Sequence, residues 1–192
     1  KNNEFHQFSS IGVPPQDKGY KNEPTETIIG DNNLFREGVT IHRATTKQDL
    51  ETIVGSNGYF MANVHIAHDC VIGSNVTLAN GTMCAGHVNV GDFVQMGGAC
   101  GVTPFCSVGR GSFIGAASAI DKDVPAFCAA FGNRIKLKGA KFLFPNAKDL
   151  TYNVYHKTID GALIMGLGKT EVDAVRQHNK LYKKLSRKRR LA

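Results

Sequence analysis

The amino-acid sequence repeats every six residues through its middle. Stepping by six from Val54 reaches twelve positions, all of them apolar: Val54, Phe60, Ile66, Ile72, Leu78, Cys84, Val90, Met96, Val102, Val108, Ile114 and Ile120. This period matches neither the 3.6 residues of an α-helix nor the alternation of a half-buried strand. A hexapeptide repeat is typical of a parallel β-helix, in which three short strands and three corners close a triangular coil of about eighteen residues.

Two segments interrupt the repeat toward the N-terminus. Residues 13–28 are polar and proline-rich, and residues 47–53 are inserted between units that are in phase. We therefore expect a β-helix over residues 1–130 from which two loops leave, at 13–28 and at 47–53. Loops that leave a rigid solenoid often shape a binding site.

The pattern changes after the repeat. We expect residues 131–148 to connect the coil to helices over 149–192, where Thr170 and Asp173 fit a capping box. The helices end in a basic tail, because seven lysines and arginines and no acidic residue follow position 179. This tail suits a solvated helix face, an acidic protein partner, an anionic membrane surface or phosphates. No aromatic residue follows Tyr182, so binding to nucleic acid through base stacking has no support.

The positions of the cysteines and the hydropathy of the chain predict the compartment in which it acts. Four of the five cysteines (Cys70, Cys84, Cys100 and Cys106) occupy repeat positions that should fill the lumen of the coil. This indicates reduced thiols rather than disulfides, as in the cytoplasm. No apolar run approaches the roughly 20 residues of a membrane-spanning helix. We expect a cytoplasmic protein with no stable membrane insertion.

The stretch "ANVHIAHDC" concentrates candidate chemistry. His65 and His68 lie off the apolar register, so both should point outward. Eighteen residues later, on the next coil, Gly86 should stack on His68 and His87 on Asp69, with adjacent strands roughly 5 Å apart. A neutral imidazole can remove a hydroxyl proton, and a glycine N–H can approach an oxyanion without obstruction. The combination favours acyl transfer by direct attack of the substrate hydroxyl, since no serine or cysteine nucleophile is placed beside His68.

Two other interpretations of the histidines stay open. They could be structural, as most histidines in packed proteins are. Alternatively, zinc could take three ligands from His42, His65, His68 and His87, as in the hexapeptide-repeat carbonic anhydrases of the gamma class. Zinc binding gives no role to the adjacent acid or to the glycine, so we expect neither a metal ion nor another cofactor.

Several motifs together resemble one family. The segments "QFSSIG", "IGDNN", "REGVTIHR", "HIAHDC", "AGHV" and "DVP" occur in order between residues 7 and 133. They resemble the UDP-N-acetylglucosamine O-acyltransferases that begin lipid A synthesis, a family of hexapeptide-repeat acyltransferases. The pairing of "VTIHR" with "HIAHDC" is far more specific than the repeat alone. The first coils of that family have no counterpart ahead of Lys1.

The resemblance implies a fold, an activity and partners. The fold is a left-handed parallel β-helix with a small C-terminal α-helical region, assembled as a homotrimer with active sites between neighbouring coils. The activity is transfer of an (R)-3-hydroxyacyl group from acyl carrier protein to the 3-hydroxyl of UDP-N-acetylglucosamine. The partners are therefore acyl carrier protein, a nucleotide sugar and further copies of the chain.

The resemblance also assigns roles to individual residues. His68 matches the general base, Asp69 the acid paired with it, and Gly86 the backbone donor to the oxyanion. Positions that match the family's binding sites are Asp17, His65 and His87 around the sugar and the donor, and Ala116 and Arg134 along the acyl chain.

The chain departs from the family on the substrate-recognition side. The family's lysine two residues after the first-loop aspartate is Gly19 here, with Lys18 and Lys21 as nearby cations. A His-Gln pair before "FC" is Thr103-Pro104, and the paired arginines expected after the coil are missing. Two alternatives follow: an acyl- or acetyltransferase that acts on a different nucleotide sugar, such as an amino sugar, and a non-catalytic paralogue that only binds.

Overall fold

The computed structural model describes residues 1–140, 152–157 and 163–168. Every helix or strand element within those residues is a β-strand. Among them, no helix has the length and hydrophobicity needed to cross a bilayer. The architecture of residues 1–135 is a left-handed parallel β-helix with three flat sheets. The hexapeptide repeat predicts the parallel coil, and the family resemblance implies its handedness.

Each coil contributes one strand to each sheet, and the strands are numbered here in chain order. The first sheet contains β1 (Glu4–Phe5), β4 (Leu34–Phe35), β7 (Tyr59–Phe60), β10 (Thr77–Leu78), β13 (Gln95–Met96), β16 (Phe113–Ile114), β18 (Cys128–Phe131) and β19 (Lys136–Ala140). The second contains β2 (Ser10–Val13), β5 (Thr40–His42), β8 (His65–Ile66), β11 (Met83–Cys84), β14 (Gly101–Val102) and β17 (Ala119–Ile120). The third contains β3 (Glu26–Ile29), β6 (Glu51–Val54), β9 (Val71–Ile72), β12 (Asn89–Val90) and β15 (Ser107–Val108).

The repeat period is also the sheet register. Leu78 pairs with Met96, and Met96 pairs with Ile114, so each residue lies one strand away from the residue eighteen positions later. All twelve apolar repeat positions are buried, with at most 3% of any residue exposed. The lumen is therefore the single hydrophobic core of the coil.

The cysteines fill this lumen, as the sequence indicates. All five are free thiols and buried. Burial raises the pKa of the Cys70 thiol to about 12, so this thiol stays protonated at neutral pH. A buried thiol that does not ionise is a packing group rather than a nucleophile.

The corners of the coil repeat a left-handed backbone conformation. The third residue after the apolar position has positive φ at Asn57, Asn63, Asp69, Asn75, Gly81, His87, Phe93, Ala99, Phe105, Gly111 and Ala117. Asparagine, aspartate and glycine tolerate this conformation best. Asp69 and His87 consequently occupy equivalent corners of consecutive coils, and the His87 N–H donates to the His68 carbonyl at 3.0 Å.

The first loop that leaves the coil is shorter than the sequence indicates, and the second begins and ends earlier in the chain. Strands β2 and β3 extend into the expected loop at 13–28, which leaves residues 14–25 outside the sheets. Strand β6 takes the last three residues of the expected loop at 47–53, and the second loop covers residues 43–50. The reason is a four-residue parallel pairing of β3 with β6, which is longer than the two-residue strands of the regular repeat.

The expectations for the C-terminal part are partly wrong. Strand β19 lies inside the expected connector and pairs antiparallel with β18. Residues Tyr152–Lys157 (β20) and Leu163–Gly168 (β21) form an antiparallel hairpin where helices were expected. The aromatic and β-branched residues of "YNVYHK" favour a strand, which outweighs the helical spacing. The capping box at Thr170 and the basic tail lie outside the described residues.

If the lumen supplies the stability of the coil, Leu78→Ala should lower the free energy of unfolding by about 2–5 kcal/mol, because it leaves a cavity in a closed core. Urea unfolding followed by circular dichroism measures this change. Val71→Ala is the matched control, because Val71 lies on the outside and is 40% exposed. Equal losses in the two variants would contradict a core confined to the lumen.

Candidate active site

A cavity of about 500 Å³ lies on the outer face of the second sheet. Its floor is a row of residues in consecutive coils, His65, Met83, Gly101 and Ala119, which pair in register across β8, β11, β14 and β17. A methyl group added at Gly101 would meet no atom within 4 Å, so the floor is open there. The cavity thus has an imidazole at one end and small side chains toward the other.

His68 and Asp69 form a hydrogen-bonded pair at the wall of this cavity. The distance from His68 Nδ1 to Asp69 Oδ2 is 2.7 Å. An ionised carboxylate only accepts hydrogen bonds, so Nδ1 carries the hydrogen and Nε2 carries the lone pair. The His68 side chain is 13% exposed and that of Asp69 is fully buried. The pair therefore offers an oriented base to a molecule in the cavity.

Asp69 is held from two sides. Its carboxylate accepts hydrogen bonds from the Thr45 backbone N–H at 3.0 Å and from the Thr45 hydroxyl at 2.7 Å. Its own backbone N–H donates to the Thr52 hydroxyl at 2.9 Å. Because a buried polar group needs hydrogen-bond partners, the bonds from Thr45 satisfy the carboxylate and fix its orientation toward His68.

Gly86 lies against the His68 ring. A Cβ atom at this position would lie 2.5 Å from His68 Cε1 and 2.9 Å from His68 Nε2. Only glycine lets the backbone approach the imidazole this closely. The neighbouring N–H groups of Ala85 and His87 donate to carbonyl groups of other coils, whereas the Gly86 N–H has no backbone partner among the described residues. This donor is thus beside the base and available to a ligand.

His87 is fixed on several sides. Its ring stacks on Phe105 with centroids 4.4 Å apart and meets His68 edge-on at 5.3 Å. Nδ1 contacts the Gln48 side-chain oxygen, and Nε2 is 3.7 Å from Asp69 Oδ2. Burial lowers the pKa of His87, and the Asp69 charge only partly opposes that effect. His87 is accordingly a neutral imidazole at neutral pH.

His65 and His42 form a second pair of rings. The Thr40 hydroxyl and His65 Nδ1 are hydrogen-bonded at 2.7 Å, and the His65 and His42 centroids are 4.8 Å apart. Burial lowers the pKa of His65 and lowers that of His42 to about 4. His65 lines the cavity, whereas His42 does not.

The arrangement bears on the zinc hypothesis. Within the described residues, the group whose atoms could hold a metal ion is His68, Asp69 and His87, with ligand atoms within 4.8 Å of one another. His42 and His65 lie outside that group. A site of three histidines is therefore not assembled by the described part of a single chain.

Asp17 lies on the first loop, next to Gln16, which lines the cavity. Its carboxylate accepts the Gly19 N–H at 2.7 Å and is paired with the Lys47 ammonium. The hydrogen bond from Lys47, followed by that from Gly19, lowers the pKa of Asp17, and His68 adds a smaller effect. Asp17 is thus an ionised acceptor near the base.

Three residues of the second loop were not identified from the sequence. Thr45, Lys47 and Gln48 contact Asp69, Asp17 and His87 respectively. The signal available was the polar run "TTKQD" between in-phase units, which marked the loop but no contact. The cation that pairs with Asp17 is Lys47, rather than Lys18 or Lys21.

The predicted acyl-chain residues and the residues that depart from the family's pattern lie in different places relative to the cavity. Ala116 and Arg134 are exposed and lie outside the cavity that the described residues form. Their contact with an acyl chain stays a prediction. Thr103 and Pro104 line the cavity, so this departure from the family's pattern does fall on the wall of the site.

Comparisons with known proteins agree with the hexapeptide repeat and with the family resemblance. Residues 51–86 match the family model "Bacterial transferase hexapeptide (six repeats)". The chain is 46% identical over 142 residues to the acyl-[acyl-carrier-protein]–UDP-N-acetylglucosamine O-acyltransferase of Stutzerimonas stutzeri, covering 74% of this chain and 55% of that protein. It is 44% identical over 156 residues to the protein of the same name in Pseudomonas putida F1, covering 81% and 60%.

Solved structures of UDP-N-acetylglucosamine acyltransferases are also similar to this chain. The UDP-N-acetylglucosamine acyltransferase of Francisella novicida superposes with a TM-score of 0.72 and 41% identity, over 73% of this chain and 52% of that one. The chain therefore spans little more than half the length of the relatives that it matches.

Replacement of Gly86 by alanine should displace the His68 ring, because the added methyl group would overlap it. We expect a crystal structure of Gly86→Ala to show His68 moved and its bond to Asp69 lengthened or broken. Gly101→Ala is the matched control in the same cavity and should leave His68 in place. An unmoved His68 ring in Gly86→Ala would contradict this close approach.

Proposed function

The chain belongs to the hexapeptide-repeat acyltransferase family that includes the UDP-N-acetylglucosamine O-acyltransferases, and from this premise we propose that it catalyses the first step of lipid A synthesis. In that reaction an (R)-3-hydroxyacyl group passes from acyl carrier protein to the 3-hydroxyl of UDP-N-acetylglucosamine. The observation that carries the proposal is the contact of the His68–Asp69 pair with Gly86 at the wall of the cavity.

In the proposed mechanism His68 is the general base. Its Nε2 takes the proton of the sugar hydroxyl while the hydroxyl oxygen attacks the thioester carbonyl and forms the new C–O bond. The Asp69 carboxylate stabilises the imidazolium that results, and the Gly86 N–H donates to the oxyanion. When the tetrahedral intermediate collapses, the C–S bond breaks and the carrier thiolate recovers the proton from His68.

Direct attack by the sugar hydroxyl is favoured over an acyl-enzyme. No serine or cysteine is among the described residues that line the cavity. The hydroxyl of Thr103, which does line it, donates to the Ile120 carbonyl at 3.0 Å. A hydroxyl in that hydrogen bond has no adjacent base to activate it as a nucleophile.

The wall of the cavity favours a second candidate acceptor. Thr103 and Pro104 replace the family's His-Gln pair on that wall, and Gly19 replaces a lysine beside Asp17. These changes alter recognition without touching the base or the oxyanion donor. A different nucleotide sugar, such as an amino sugar, is therefore the alternative acceptor.

If His68 is the base, His68→Ala should lower kcat by roughly 10²–10⁴-fold, the usual contribution of a positioned base. The assay is mass spectrometry of the product from 3-hydroxyacyl carrier proteins of several lengths with a panel of nucleotide sugars. His6→Ala is the control, because His6 pairs with Glu4 in the first coil, away from the cavity.

Turnover by His68→Ala at the wild-type rate would refute the assignment of the base. Product from another nucleotide sugar alone would favour the second candidate. Absence of product from every combination would favour the non-catalytic alternative.

We further propose that the protein acts as a cytoplasmic homotrimer. Met83 and Phe105 are more than half exposed beside the cavity, so they are available to pack against a neighbouring coil. A site between the coils of two chains would also place residues of the neighbouring chain near the acyl chain. Ala116 and Arg134 are candidates for this role.

Light scattering coupled to gel filtration should accordingly give a mass of three chains, because closed symmetry is the usual way to cover such a surface. Met83→Lys and Phe105→Lys together should reduce the mass to that of one chain, while Val71→Lys is the control on another face. A monomeric wild-type protein with full turnover would contradict a site shared between chains.

A further inference from the structure

The second loop, residues 43–50, reaches three parts of the site at once. Thr45 binds Asp69 at the corner after β8, and Gln48 contacts His87 at the corner after β11. Between them, Lys47 pairs with Asp17, which belongs to the first loop, thirty residues away in sequence. The contacts of Thr45 and Gln48 therefore hold the backbone on both sides of Lys47 against the coil.

We propose that Lys47 is a positioning residue for the acceptor, acting through Asp17. The inference rests on the proposed function, because it assigns the hydroxyl groups of a nucleotide sugar as the ligand of the Asp17 carboxylate. Lys47 fixes that carboxylate next to Gln16, which lines the cavity, so that it can accept hydrogen bonds from the sugar.

The hydrogen bonding of Asp17 supports this role. One carboxylate oxygen accepts the Gly19 N–H, a bond within the same loop, and the other accepts the Lys47 ammonium. Each oxygen has two acceptor sites, so capacity for a sugar hydroxyl is left. Of these two bonds, only the one from Lys47 joins the first loop to the second loop.

The surroundings of the Asp17–Lys47 pair also support the positioning role of Lys47. The side chain of Asp17 is 14% exposed, whereas that of Lys47 is 56% exposed. The carboxylate is thus sheltered near the cavity while the lysine approaches from the solvent side. The Lys47 charge lowers the pKa of His87 and the Asp17 charge raises it. His68 in turn lowers the pKa of Asp17, so the pair lies within electrostatic range of both imidazoles.

The role predicts a change in acceptor binding rather than in chemistry. Lys47→Met should raise the KM for the nucleotide sugar about 3- to 10-fold and leave kcat within about twofold, since the Lys47 ammonium is more than half exposed and its interaction is screened by solvent. Lys47→Arg, which can still pair with Asp17, should restore most of the loss. Lys18→Met removes the same charge from the loop of Asp17 and should leave KM unchanged.

A second readout does not depend on turnover. The pKa of the Asp17 carboxyl, followed by carbon-detected NMR, should rise in Lys47→Met and stay at its wild-type value in Lys18→Met. Calorimetry with UDP-N-acetylglucosamine, and with any acceptor that the panel identifies, should show the same order of affinities as KM. A merely structural lysine would change the melting temperature without this pattern.

The outcomes separate the two proposals. Wild-type turnover with equal KM values in Lys47→Met and Lys18→Met would overturn the role of Lys47 and leave the proposed function standing. Binding of a nucleotide sugar without turnover, weakened by Lys47→Met, would support the role of Lys47 and overturn the proposed function. Failure of every nucleotide sugar to bind the wild-type protein would overturn both.

Discussion

The parallel backbone ladder with its eighteen-residue step is the constraint on which the site depends. It makes each residue the neighbour of the residue one coil later, whatever the two side chains are. The bond from His87 N–H to the His68 carbonyl is one rung of this ladder, and it sets Gly86 against the His68 ring. The closeness of His68 and Gly86, the proposed base and oxyanion donor, therefore follows from the coil, and the absence of a side chain at Gly86 allows it.

Burial and the position of Asp69 distinguish His68 from the other three histidines near the site, His42, His65 and His87. The side chain of Asp69 is fully buried, and its shortest contact to an imidazole is the bond to His68. Burial lowers the pKa values of His42, His65 and His87, so these rings stay neutral and do not compete for the charge. Of the four, His68 is the imidazole that both lines the cavity and is hydrogen-bonded to Asp69. This selection follows from burial and distance, which the residue types alone do not specify.

The periodic part of the molecule could be predicted from the sequence, and the non-periodic part could not. The six-residue step located the lumen positions and put His68 beside Gly86, because a repeat fixes register without knowledge of the side chains. The loop at 43–50 has no period, so its contacts to Asp17 and His87 depend on tertiary packing alone. The same reason explains the loop boundaries and the hairpin of β20 and β21, where local β-propensity outweighed an apparent helical spacing.

The division between coil and loops also separates chemistry from recognition. His68, Asp69 and Gly86, the proposed base, acid and oxyanion donor, lie on consecutive coils, where any shift would disturb the ladder and the packed lumen beneath it. Asp17 and Lys47 lie on loops, and Thr103 and Pro104 lie on the outer wall, where a substitution disturbs few neighbours. A chain of this fold can therefore change the sugar that it accepts while the catalytic geometry stays fixed. The departures of this sequence at Gly19, Thr103 and Pro104 fall where that freedom exists, and Lys47 supplies a cation to Asp17 from the opposite loop.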